Sequence, residues 1–216
     1  FTAQLAERAS RHFSLEGELR QALPQGELRL VYEPRRRIGD GSLCGIEALL
    51  RWAHPTRGLL LPADFMELAE ESGLIVPMGR WLMEQACRQL RQWREQGLNP
   101  PRCSIRLSAR QFSHEALLDE LRAALSTEVL ESPALQLEVA EASLSADPGR
   151  AREVLGRLHT LGVGIAIDDF GTGCSSLASL RHLSAQALKF GPGLVEGLPG
   201  DAADVAITQA VIALAH

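Results

Sequence analysis

From residue 28 onward, short runs rich in aliphatic and β-branched residues alternate with longer stretches whose apolar residues recur at helical spacing. This alternation is the strongest constraint on the fold. A strand that returns to its sheet through a helix lies parallel to its predecessor and is covered by that helix. Strands are predicted in "LRLVYEP" (28–34), "CGIEALLRW" (44–52), "CSIRLSA" (103–109), "LQLEVAE" (135–141), "VGIAIDDFG" (163–171) and "ALKFGPG" (187–193). Helices are predicted over 63–73, 78–97, 113–126 and 147–162, with Ser113 and Asp147 as N-caps and Gly97 and Gly162 as C-terminal stops.

The class is therefore α/β. Parallel βα units close into a barrel at eight, which typically takes about 250 residues. This chain of 216 residues reaches its end inside a helix after the sixth strand, so either the last two units are missing or the sheet stays open. Residues 1–16 read as a linker helix arriving from an upstream module. With 45% hydrophobic and 23% charged residues, the chain has the composition of one packed globular domain. A net charge of −5 with scattered Lys and Arg offers no stripe that tracks a phosphate backbone, so nucleic acid is not an expected partner. Cys44, Cys87, Cys103 and Cys174 form no CxxC pair, which argues against zinc and disulfides and for a reducing, cytoplasmic setting. The most apolar stretches fall short of the ~18 residues of a membrane span, and no membrane segment is expected here.

In a βα barrel the chemistry sits at the C-terminal ends of the strands. Strand one offers Glu33, strand two Glu47 and Arg51, strand four Glu138, strand five Asp168 and Asp169, and strand six Lys189. A single acid in a strand is most simply a paired ion, but acids recurring at equivalent strand positions repel unless a cation compensates. Oxygen ligands of this kind suit Mg²⁺, Mn²⁺ or Ca²⁺. The cation can also come from the chain. Arg106, between Ile105 and Leu107 in the third strand, points to the face opposite theirs and is expected to turn inward onto Glu47, Glu138 and Asp168. The competing reading has Arg106 swinging out to pair on the surface. After the aspartates, Gly171 and Gly173 permit a tight turn and Ser175 can cap the next helix.

Taken in order, "EALLRW" (47–52), "GLIVPMGRW" (73–81), "LSARQF" (107–112), "LEVAE" (137–141), "DDFGTGCSSL" (168–177) and "LKF" (188–190) resemble the EAL family of bacterial cyclic di-GMP phosphodiesterases and receptors. The likeness runs from residue 17 to the end, so 17–216 is expected to be an EAL domain, C-terminally truncated. It implies an incomplete (β/α)8, TIM-like barrel with about six βα units present. It also implies that active members use two divalent ions, Mg²⁺ or Mn²⁺, to open the cyclic dinucleotide to linear pGpG. By the same resemblance Glu47, Glu138, Asp168 and Asp169 match metal positions, and Lys189 matches the lysine near the attacking water. Glu141 matches the glutamate that braces the glycine loop, while Arg51, with Leu50 and Glu33, falls at ligand-binding positions.

The departures from the family pattern cluster. Active members carry asparagine at Arg106, glutamine at Glu33, threonine at Ala140, tyrosine at Cys174 and aspartate at Gly191. The family's later strands, bearing a catalytic glutamate and a ligand-contacting glutamine, would follow His216. The resulting expectation is a degenerate EAL domain that binds cyclic di-GMP or regulates a partner, with hydrolysis lost or weak and no metal bound. The alternatives are an active metal-dependent phosphodiesterase in a complete protein, and an interaction scaffold without nucleotide. A protein partner or a homodimer stays open. Other features have plainer readings. His54 is expected to be a solvated loop histidine, Trp81, Trp93, Leu82 and Leu90 core residues, and "PRRR" (34–37) an exposed loop cluster.

Overall fold

A computed structural model of the chain describes residues 13–172 and 184–215. Two compact units are present, Phe1–Cys103 with Asp119–Val129, and Ser104–Leu118 with Leu130–His216.

In the first unit, helix α1 runs through residues 13–22 and buries Leu19 and Ala22. Strands β1 (Leu28–Arg36) and β2 (Leu43–His54) follow as an antiparallel pair, from Leu28 opposite Trp52 to Arg35 opposite Gly45. The expected all-parallel sheet fails here. The connection between the strands is too short to hold a crossover helix, so the chain can only fold back on itself. A further strand, β3 (Gly58–Leu60), pairs antiparallel with β2, and it is too short to show a period in the sequence. The "PRRR" run is not a loop, since β1 extends through Arg36.

Helix α2 (Pro62–Ser72) begins on a proline and ends at Gly73, which adopts φ 77°. Helix α3 (Ile75–Glu95) starts three residues before the predicted boundary and buries Met78, Leu82, Met83, Ala86, Cys87 and Leu90 along one face. Burial raises the pKa of the Cys87 thiol to about 12. Leu82 and Leu90 are core as expected, but Trp81 and Trp93 are only half-buried. Trp93 instead packs edge-on against Tyr32, with ring centroids 4.9 Å apart.

Helix α5 (Leu117–Thr127) runs to the end of this unit, where buried Glu128 meets Arg91 at 2.8 Å and Arg88 at 3.5 Å. Val129 follows at φ 52° with its side chain exposed. A β-branched residue is strained in the left-handed region and gains nothing here by burial. Val129→Gly should therefore raise stability by about 0.5–1 kcal/mol in denaturant titration, and a loss would contradict this account.

The second unit carries the parallel pattern. It contains most of β4 (Cys103–Leu107), then α4 (Ala109–Phe112), β5 (Leu135–Ala140), α6 (Glu141–Ala146), α7 (Pro148–Leu161), β6 (Gly164–Phe170), β7 (Ala187–Phe190) and α8 (Ala202–Ala215). The strand order is β4-β5-β6-β7, with β5–β6 and β6–β7 parallel. Residues 135–139 and 164–168 are buried without interruption, as strands covered on both faces should be. Asp147 caps α7 by accepting from the Arg150 N–H, and Gly162 closes that helix at φ 82°, both as predicted. Ser113 is not an N-cap. The β4 strand stops at Leu107, Ser108 caps the four-residue α4, and Ser113 lies at that helix's C-terminal end.

Candidate functional site

Three neighbouring strands of the second unit bring a charged cluster to their C-terminal ends. Glu138 of β5 is fully buried, and Lys189 of β7 donates to its carboxylate. The same ammonium lies 3.6 Å from Asp168 Oδ1, and Asp168 is itself buried at the end of β6. Strand pairing explains the convergence. Ala166 of β6 sits opposite Glu138, and alternation puts Asp168 on the same face two residues further on. Asp169, still within β6, adopts φ 53° where the register with β7 shifts, and its N–H donates to Asp168 Oδ1 at 2.9 Å.

Arg106 joins this cluster. Ile105 and Leu107 are buried, as the alternation required, and Arg106 takes the opposite face. Ser104, on the same face, is buried, but nearer the strand end the Arg106 side chain is 52% exposed. The guanidinium meets Asp168 Oδ2 at 3.2 Å and hydrogen-bonds Asp169. Of the expected trio of Glu47, Glu138 and Asp168 it therefore meets Asp168, and its other partner is Asp169. The long side chain reaches across to the irregular end of β6, where Asp169 is presented. Asp168 Oδ2 is buried and has no aligned hydrogen bond, so Arg106 meets it as an ion pair alone.

Behind the cluster, Glu141 does not end β5 but opens α6. Its buried carboxylate accepts from the Gly171 N–H at 2.8 Å and so holds the chain just after the aspartates. Gly171 sits at φ 91° with Leu194 packed where a Cβ would be. Gly191 is as tightly enclosed. A Cβ there would come within 3.2 Å of the Asp169 carbonyl oxygen and 2.6 Å of the Thr172 methyl. The aspartate of the family pattern therefore has no room at Gly191 in this arrangement. Gly173, Cys174 and Ser175 lie outside the described residues.

The other predicted positions belong to the first unit. Glu33 is exposed, lies mid-strand in β1, and faces Glu47 of β2 across the ladder. Glu47 is held by Arg35 at 3.0 Å, a contact that reading "PRRR" as a solvated run overlooks. An arginine two residues from an acid on the same strand face is the available signal. Arg51 is half-buried and donates to the Leu50 carbonyl at 2.8 Å, while the Leu50 side chain is buried in the core. His54 is not solvated. It is buried, its Nδ1 accepts the Thr56 and Arg57 N–H groups, and its Nε2 meets Glu18 of α1. Hydrogen bonds from Ser14 and then His54 hold the Glu18 carboxyl below the usual carboxylate range.

A family model, the EAL domain, matches residues 16–216. The chain belongs to the EAL domain family. It is 42% identical over 214 residues to the bifunctional diguanylate cyclase/cyclic di-GMP phosphodiesterase MucR of Pseudomonas aeruginosa, covering 99% of this chain. It is 41% identical over its full length to the cyclic di-GMP phosphodiesterase NbdA of the same organism. The chain spans 31% of the first relative and 28% of the second. Among solved structures, the MucR phosphodiesterase in complex with c-di-GMP superposes with a TM-score of 0.88 at 44% identity, covering 93% of this chain and 81% of that one. This EAL domain thus has the α/β, TIM-barrel-like fold expected of it, with the antiparallel β1–β2 hairpin as the difference from the predicted strand pattern. Among the described residues, no helix is long and apolar enough to cross a membrane.

Proposed function

We propose that this EAL domain is a cyclic di-GMP binding or regulatory signalling module whose hydrolysis is lost or weak. The observation that carries the reading is the Arg106 guanidinium on both Asp168 and Asp169. Divalent ions in the family would draw on these carboxylates together with Glu47 and Glu138. Here Arg106 engages the two aspartates, Lys189 engages Glu138, and Arg35 engages Glu47. Among the described residues, no three His, Cys, Asp or Glu side chains are arranged to hold a metal ion. The residue set does not fit a two-ion centre, because a guanidinium supplies charge but has no lone pair for a metal. It cannot replace a dication in lowering the pKa of a bound water.

The ligand assignment is supported by the c-di-GMP complexes of similar EAL structures, including MucR and FimX of P. aeruginosa. Arg51 is the ligand-binding position with the chemistry to meet a phosphate. The setting proposed for the domain is cytoplasmic, with residues 1–16 leading from an upstream module. A second reading, a metal-dependent phosphodiesterase, is favoured by the 44% identity to the MucR phosphodiesterase structure.

Titration calorimetry with cyclic di-GMP, with and without Mn²⁺, together with an assay for pGpG, separates the two. Binding should be equally tight with and without metal. Turnover should be absent or lower than in active members by at least about 10² to 10⁴-fold, the usual cost of losing a metal ligand or general base. Robust conversion to pGpG would sink the reading. Arg106→Asn should restore an oxygen ligand beside Asp168 and Asp169. Its melting temperature should then rise with Mn²⁺ while that of the parent stays fixed, and equal responses would mean that Arg106 does not stand in for a metal.

A further inference from the structure

Strands β1 and β2 set Glu33 directly opposite Glu47. Opposed residues of an antiparallel pair share a face with Cβ atoms about 4.5–5.5 Å apart, where like charges destabilise the ladder. The same strand supplies the remedy. Arg35 lies two residues beyond Glu33, hence on the same face, and sits opposite Gly45. Its Cδ lies 3.6 Å and its Cβ 3.7 Å from the position a Gly45 Cβ would take. These are ordinary van der Waals distances, so the arginine stem lies along the partner strand at Gly45, and Nη2 reaches Glu47 Oε2 diagonally at 3.0 Å. Both side chains are largely shielded, at 27% and 17% exposure, so the pair is less screened than a surface ion pair. Past this point the register slips between Arg35 and Arg36, and the ladder ends at Arg36 opposite Leu43.

We propose that Arg35 is the resident counter-ion of the Glu33–Glu47 pair, a positioning residue that fixes Glu47 in an internal ion pair and fills the place an external divalent cation would otherwise take. This deepens the metal-free reading given above and rests on it, but it concerns a different strand pair and a different arginine. A guanidinium suits the role because it stays charged at every working pH and holds a carboxylate in a defined geometry.

The test is thermal unfolding of the parent, Arg35→Gln and Arg35→Lys, each with and without Mn²⁺ as the probe. The parent and Arg35→Lys should not respond to the metal. Arg35→Gln should melt lower without it and recover about 3–6 °C at saturating Mn²⁺, as expected for a ligand that binds only the folded state. That gain should vanish in Arg35→Gln/Glu47→Gln. A purely structural role for Arg35 would lower the melting temperature without creating any metal response. An Arg35→Gln protein as inert to Mn²⁺ as the parent overturns the proposal and leaves the Arg106 reading standing. A parent that already responds, with the response lost on Glu47→Gln, overturns both. Should Arg35→Gln not fold, Arg35→Met keeps the apolar stem over Gly45, loses only the charge, and is judged by the same outcomes.

Discussion

Lys189→Met is expected to lower stability by about 3–5 kcal/mol, the usual result of removing one partner from a buried ion pair. Glu138 is fully enclosed, and the Lys189 ammonium donates to it while lying 3.6 Å from Asp168. Methionine keeps the apolar stem, so the loss reports on charge and not on packing. Two buried carboxylates then lose a shared cation, and Arg106, half-exposed and turned toward Asp169, is poorly placed to replace it. Removing the acid as well should restore part of the stability, with Lys189→Met/Glu138→Gln more stable than Lys189→Met alone. Chemical denaturation of the parent and both variants decides the matter. A cost below about 1 kcal/mol for the single variant would mean that the ammonium does not neutralise this cluster.

Gly171→Ala should cost about 2–4 kcal/mol, from two causes that can be separated. The backbone at Gly171 has φ 91°, which an L side chain adopts only under strain, and the new Cβ would fall 2.2 Å from Leu194 Cδ1. Leu194→Ala in the same chain removes the overlap but not the strain, so the double variant should recover only part of the loss. Recovery to the level of Leu194→Ala alone would show that backbone strain contributes nothing. The same substitution pulls the Gly171 N–H away from Glu141 Oε2, so the turn after the aspartates should also exchange its amide hydrogens faster.

Much of the site is legible in the chain itself. Alternation within each strand marks Glu138 and Asp168 as sharing a face, and Ile105 and Leu107 fix the parity of Arg106. The motif order around Glu47, Glu138, Asp168 and Lys189 carries the family, which the match over residues 16–216 bears out. Periodicity locates α7, and its caps at Asp147 and Gly162 follow from side-chain chemistry and glycine's left-handed freedom.

The sequence by itself determined the six longer strands, the helices α2, α3, α5 and α7, the family, and the strand parity of Glu138, Asp168 and Arg106, while β3, α4, α6 and the strand position of Arg35 were not legible in it. Those properties come from a period of two, a period of 3.6 and the local preferences of caps and turns, all of which are short-range. Which cation meets which acid was decided only in the tertiary structure. Arg106 is expected on Glu47, Glu138 and Asp168 but reaches Asp168 and Asp169, Lys189 takes Glu138, and Arg35 takes Glu47 across a glycine in the neighbouring strand. Long flexible side chains choose partners by the depth of the strand end and by the acids that neighbouring strands bring within reach. Those quantities exist only once distant segments are packed together, which is why residue type and face were readable in advance and the pairing was not.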